Sequence, residues 1–211
     1  MGKIFCIIGK SSTGKDMVFK RLLAEPDLAL SNVVSYTTRP IRAGEEEGVE
    51  YFFCTQQKEQ ELEQQGKVIE RRTYHTRLGD WDYFTVDDGQ VNLADGNYLI
   101  IGTLESYLAL RNYYGNQALV PIYIEVEDGK RLEHAIHREK KQEVPKYEEL
   151  CRRFLADAED FSEEKLRKAG VNRRFCNDGD KDEIVAKIAD YIRRCEAEER
   201  PEGDPHGYQG Q

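Results

Sequence analysis

The sequence has little of what builds disulfide-bonded, metal-binding or membrane-spanning proteins. Its five cysteines, Cys6, Cys54, Cys151, Cys176 and Cys195, are odd in number, scattered and never set as a C-x-x-C pair. Neither a disulfide framework nor a zinc site is expected from them, and reduced thiols point to a cytoplasmic protein. The four histidines form no group with ligand spacing. No apolar run approaches the roughly 20 residues that cross a bilayer. The run at residues 4–8 lacks the basic flank and cleavage site of a secretory leader, so no membrane or export role is expected. Positive charge is also short: 31 Lys and Arg face 40 Asp and Glu, a formal net charge of -9. That balance disfavours bulk attraction to nucleic acid or anionic lipid. An anionic small-molecule substrate then has to be gathered by local basic clusters, on a monomer or small homo-oligomer.

What is present is the composition of a folded domain, 39% apolar and 34% charged over 211 residues, with no internal repeat. Residues 3–8 read as a buried strand, followed by a Gly/Ser-rich turn and a helix from Lys15 whose apolar positions are Met17, Phe19, Leu22 and Leu23. Strand-like stretches follow at 33–36, 49–54, 68–74 and 82–86, with a polar helix over 56–65 ended by Gly66. Buried-type strands at 98–101 and 120–126 flank a helix over 104–113. Helices are then expected over 128–137, 147–168 and 181–195, with a last strand at 171–176. This alternation predicts a parallel sheet covered by helices.

Between the first strand and helix lies Gly9-Lys10-Ser11-Ser12-Thr13-Gly14-Lys15-Asp16, a G-x-x-x-x-G-K motif followed by Asp where Ser or Thr is usual. Backbone N–H groups of such a loop, with the positive end of the following helix, bind phosphate oxygens. Gly9, Ser11, Ser12, Thr13 and Gly14 would form the cradle for ATP, and Lys15 would reach its outer phosphates. A carboxylate there repels polyphosphate unless a cation intervenes, which makes Asp16 the candidate ligand for Mg2+.

Residues 35–51 read Ser-Tyr-Thr-Thr-Arg-Pro-Ile-Arg-Ala-Gly-Glu-Glu-Glu-Gly-Val-Glu-Tyr. Arg39, Arg42 and the Tyr51 hydroxyl can converge on one phosphate through charge-assisted hydrogen bonds. This stretch matches throughout the S-x-T-T-R-x-x-R-x-G-E-x-x-G-x-x-Y pattern of guanylate kinases, and the chain resembles that family. The resemblance implies that Ser35 touches the base, that Glu70 accepts from guanine N1–H and the exocyclic amine, and that Tyr83 is a second phosphate-binding tyrosine. Thr85 would be a base-contacting hydroxyl, although Phe84 stands where the family has glycine, which could narrow the pocket. Another departure is larger. Guanylate kinases carry a D-x-D pair where this chain has Ile101-Gly102-Thr103. Asp16 is the candidate for restoring the lost charge at the metal.

Arg138, Arg152 and Arg153 resemble the family's lid arginines, which would stabilise charge on the transferring phosphoryl group, and Arg131 lies on the preceding helix. Asn177, in an Asn-Asp pair after the last strand, resembles a residue contacting adenine. The fold expected is an α/β P-loop NTPase-type parallel sheet flanked by helices, with a small mixed-strand acceptor-binding insertion and a helical lid. One domain over 1–197 would have its core at 1–33, 96–127 and 147–195, the insertion at 34–95 and the lid at 128–146. A disordered acidic tail would occupy 198–211. The activity expected is transfer of the γ-phosphoryl group of ATP to GMP or dGMP. The alternatives are a kinase for another nucleoside monophosphate and a catalytically weak binding module.

Overall fold

The computed structural model describes residues 1–42, 44–76 and 79–197. The expected tail at 198–211 lies outside the described residues. Five parallel strands make the central sheet in the order β2-β7-β1-β8-β9, where β1 is Ile4–Ile8, β2 Leu30–Asn32, β7 Asn97–Ile101, β8 Leu119–Glu125 and β9 Arg174–Cys176. All five residues of β1 are buried because both sheet faces are covered. Alternation divides them. Ile4, Cys6 and Ile8 pack with Tyr98 and Ile100 against helix α3 (Leu104–Tyr114), while Phe5 and Ile7 pack with Leu99, Ile122 and Ile124 against helices α1 (Lys15–Leu23) and α7 (Lys181–Ala197). Parallel strands need helical crossovers, so the strand–helix alternation read from the sequence becomes a layered α/β fold.

A second sheet of four strands, ordered β4-β3-β6-β5, is mixed: β3 (Tyr36–Thr37) runs parallel to β4 (Phe52–Phe53) and antiparallel to β6 (Gly79–Val86), which pairs antiparallel with β5 (Val68–Thr76). Helix α2 (Gln56–Gln64), capped by the Thr55 hydroxyl, covers one face of it. Under α2, Leu62 meets Phe84 and Val86, with Tyr36 and Val68 beside them. The opposite face of β5 and β6 carries the candidate site.

Three expected elements divide. The 33–36 stretch straddles two sheets: Val33 N–H still donates to Leu99 O of the central sheet, and from Tyr36 the chain joins the second. The 49–54 stretch keeps only Phe52–Phe53 as strand, because Gly48 turns the chain at φ 75°. The 147–168 helix is two, α5 (Tyr147–Asp160) and α6 (Glu163–Lys168). Phe161 breaks it by burying its ring against Tyr123, centroids 5.8 Å apart, and Ser162 is extended. Helix α4 (Asp128–Glu139) precedes them. Among the described residues, no helix is long and apolar enough to cross a membrane.

Candidate active site

The loop from Gly9 to Lys15 leaves the end of β1 and opens α1, as a phosphate cradle requires. Gly14 is the residue before the helix and sits at φ 84°, a conformation costly for any residue with a side chain. A Cβ there would also fall 2.6 Å from Asn177 Nδ2, whose amide donates to Thr13 O at 2.8 Å. Asn177 therefore braces the loop from behind. Thr13 is buried and its hydroxyl donates to Lys10 O, so it holds the loop's shape rather than facing a ligand.

Lys15 donates from Nζ to Lys10 O at 2.8 Å, which curls its side chain over the loop. Burial pulls its ammonium down to about 8; Asp16 and Asp157 oppose that shift, while Arg153 and Arg138 reinforce it. Four charged side chains thus surround Lys15. Asp16 is exposed in the first turn of α1. The Tyr51 phenol is raised, first by burial and then by Tyr83, with Arg39 and Arg72 opposing and Asp16 adding least. No group of three or more His, Cys, Asp or Glu able to hold a metal occurs among the described residues. Magnesium usually keeps several waters and takes one or two carboxylates beside phosphate oxygens, so Asp16 alone fits that role.

Helices α4 and α5 bring arginines to the loop. Arg138 donates to the Ser12 hydroxyl at 3.1 Å. Arg152 does not reach the loop: it is exposed and bidentate to Glu149 on its own helix, at 2.7 and 2.8 Å. Two further participants are given no phosphate contact by the sequence. Arg131, 1% exposed, donates to Asp157 and Ser11 O and stacks on Phe154 at 3.9 Å. Among the described residues its Nη2 finds no hydrogen-bond partner, a costly state for a buried donor and one that an incoming phosphate oxygen would relieve. Asp157 accepts from the Ser11 amide at 2.8 Å, occupying a donor of the cradle. A helical charge run hides such roles, because burial alone distinguishes Arg131 from a solvated arginine.

On the second sheet, strand alternation builds a polar face. Arg39 is buried, and four hydrogen bonds engage its guanidinium: Nε to the Tyr83 hydroxyl at 3.0 Å, Nη1 to Pro40 O and Glu45, and Nη2 to Glu45. One of its five N–H groups remains. Its Cζ lies 5.4 Å from the Tyr51 ring centre, and Tyr51 and Tyr83 meet edge to face at 5.5 Å. Burial lowers the Arg39 guanidinium, but the Glu45 and Tyr83 contacts outweigh it and leave it raised. Arg42 is exposed; among the described residues only its backbone is bonded, to Glu45 at 2.9 Å. The structure therefore brings Arg39, Tyr51 and Tyr83 together and leaves the Arg42 side chain at the rim.

Glu70 and Thr85 face each other across β5 and β6. Both are buried, with the Thr85 hydroxyl donating to Glu70 Oε1 at 2.8 Å. Arg72, not singled out from sequence, donates from Nε to Glu70 Oε2 at 3.2 Å. Phe84 does not narrow this pocket. It points to the α2 side, fully buried and stacked on Tyr36, because it alternates with Tyr83 and Thr85. Ser35 is half-buried beside this sheet, its carbonyl accepting from Phe52 N. The two positions without acids serve the fold: Ile101 packs toward α1 and α7, and Thr103 caps α3 in a capping box with Ser106.

Residues 1–81 match the family model described as guanylate kinase. Guanylate kinase of Streptococcus mutans serotype c is 40% identical over 73 residues, 35% of each chain. A guanylate kinase of Streptococcus pyogenes serotype M3 is 38% identical over the same length and coverage. The matched stretch thus spans about a third of these curated relatives (35%). The crystal structure of guanylate kinase from Anaplasma phagocytophilum aligns over 95% of this chain and 88% of its own, at a TM-score of 0.62 and 21% identity, a likeness of fold. The first 81 residues are thus similar in sequence to guanylate kinases, and the chain as a whole shares their fold.

Proposed function

We propose that the protein is an ATP-dependent nucleoside monophosphate kinase transferring the γ-phosphoryl group to GMP or dGMP. One observation supports this above the others. The Gly9–Lys15 loop opens a helix and curls Lys15 over itself, and a second basic pocket gathers Tyr51 and Tyr83 around the buried Arg39 guanidinium. That arrangement suits two phosphates meeting head to tail. The loop amides and Lys15 would hold the β- and γ-phosphates, and the orphan Nη2 of Arg131 would take a phosphate oxygen. Arg39, Tyr51 and Tyr83 would hold the acceptor phosphate, joined by Arg42 swinging inward from the rim. Glu70 and Thr85 would read the base, with Ser35 at its edge.

The insertion at 34–95 then carries the acceptor, and 128–146 acts as the lid. Arg138 stabilises charge developing on the transferring oxygens, with Arg153, which already acts on Lys15, beside it. Closure would carry Arg152 inward by breaking its Glu149 pair. Mg2+, held by Asp16 and water, would supply charge neutralisation of the triphosphate. The acceptor oxygen is already an anion, so no general base is needed. Positioning and electrostatics carry the step. Asn177 and the loop after β9 would border the adenine, and the protein would work in the cytoplasm.

The test is a chromatographic assay of ATP against all common ribo- and deoxyribonucleoside monophosphates. GDP or dGDP should be the fastest product. If another base is phosphorylated faster, the base assignment fails. If no monophosphate is turned over while GMP still binds, the protein is a binding module.

A further inference from the structure

We propose that Arg72 is a specificity residue of the acceptor pocket, reading the 6-oxo group of the base beside Glu70. This rests on the kinase reading above and narrows its acceptor to 6-oxopurine monophosphates. Arg72 is paired across the sheet with Tyr83, and Glu70 with Thr85, so all four side chains share the pocket face. Its side chain is turned back along β5 toward Glu70, at the base end, by the Nε to Oε2 bond of 3.2 Å. It is 18% exposed, and Glu70 5%. Among the described residues its two terminal nitrogens make no hydrogen bond, which leaves their N–H groups available to a ligand.

Among the described residues, Glu70 is the acid bonded to Arg72. Beneath lies Cys6, fully buried, whose thiol is pushed up to about 12 by burial, then by Glu70, with Arg72 opposing. Against Cys6 stands Gly102, flanked by Ile101 and Thr103 rather than carboxylates. The pocket floor thus offers a carboxylate acceptor and a guanidinium donor side by side. A base with N–H donors next to a carbonyl acceptor matches both; a 6-amino base would set its donors against the Arg72 donors. A carboxylate alone reads only the donor half of that edge.

The experiment compares kcat/KM for GMP and 6-thio-GMP in wild type, Arg72→Ala and Arg72→Lys, with the KM for ATP and thermal denaturation as controls. The thio analogue keeps the N1–H and the 2-amine and replaces the 6-oxygen by a weak acceptor. Wild type should prefer GMP. Arg72→Ala should lose roughly 10- to 100-fold for GMP, mainly in KM, and much less for 6-thio-GMP, with the ATP KM unchanged. Arg72→Lys, retaining a donor, should recover part of the preference. Equal losses for both nucleotides would make Arg72 a support for Glu70 or for the phosphate and overturn the assignment, leaving GMP kinase activity intact. Wild type that neither binds nor phosphorylates GMP would overturn the kinase reading and this inference together.

Discussion

Glu45 holds the buried Arg39 guanidinium in a two-pronged pair, 2.8 and 2.9 Å long, before any phosphate arrives. Substituting Glu45→Gln keeps the shape and removes the charge, leaving a guanidinium whose side chain is 2% exposed with no anion beside it. Breaking a fully buried pair costs about 3–5 kcal/mol. Glu45 keeps 18% of its side chain exposed, so water relieves part of this and about 2–3 kcal/mol is expected. For a domain of this size that corresponds to a fall in Tm of roughly 4–12 °C. A phosphate dianion would then supply the missing charge, so GMP should raise the Tm of the variant more than that of wild type. Differential scanning fluorimetry with and without GMP measures both. The Arg39 bonds hold the Glu45 carboxyl below its ordinary value. Its stabilising contribution is therefore complete above the unfolded value of about 4.3 and lost as pH falls through the lower folded value. The acid limb of wild type should contain this loss and that of Glu45→Gln should not. A variant as stable as wild type, or equal GMP shifts in the two proteins, would refute the picture of Arg39 as a pre-charged anion site.

Other outcomes follow from the same geometry. Lys15, lowered to about 8 by burial, should take up protons when ATP binds between about pH 7.5 and 9, and ATP affinity should fall above that value; calorimetry in buffers of different ionisation enthalpy reads the linkage, and no uptake would contradict it. Phe84→Ala removes a fully buried ring from under α2 and should cost about 3–5 kcal/mol in urea denaturation while leaving the GMP KM near wild type. A large KM change with little loss of stability would place Phe84 in the pocket instead. Asp16→Ala should raise the Mg2+ concentration needed for half-maximal rate, and an unchanged magnesium curve would remove the metal role. Gly14→Ala sets a Cβ against Asn177 at 2.6 Å in a left-handed backbone and should weaken ATP binding more than GMP binding in parallel titrations.

The sequence made the P-loop and the 35–51 segment legible because their chemistry is local: amides, a lysine and an arginine–tyrosine set at fixed spacing. The central sheet was legible for a similar reason, since strands buried on both faces read as unbroken apolar runs. What escaped depends on contacts distant in sequence. Arg131 and Arg72 look like ordinary surface charge until burial and a cross-strand neighbour distinguish them. The Phe84 question needed the β3–β6 register, which alternation alone cannot anchor. The break at Phe161 is set by the Tyr123 ring, 38 residues earlier, and no helix propensity encodes it.

The most direct test of the central claim is calorimetric titration with a bisubstrate dinucleotide in which adenosine and guanosine are joined by five phosphates, against wild type, Lys15→Ala and Arg39→Ala. Wild type should bind it with one-to-one stoichiometry and far more tightly than ATP or GMP alone, and each substitution should weaken it by at least about 10-fold. Binding no tighter than the better single nucleotide, or affinity indifferent to either substitution, would contradict two adjoining phosphate cradles acting as one site.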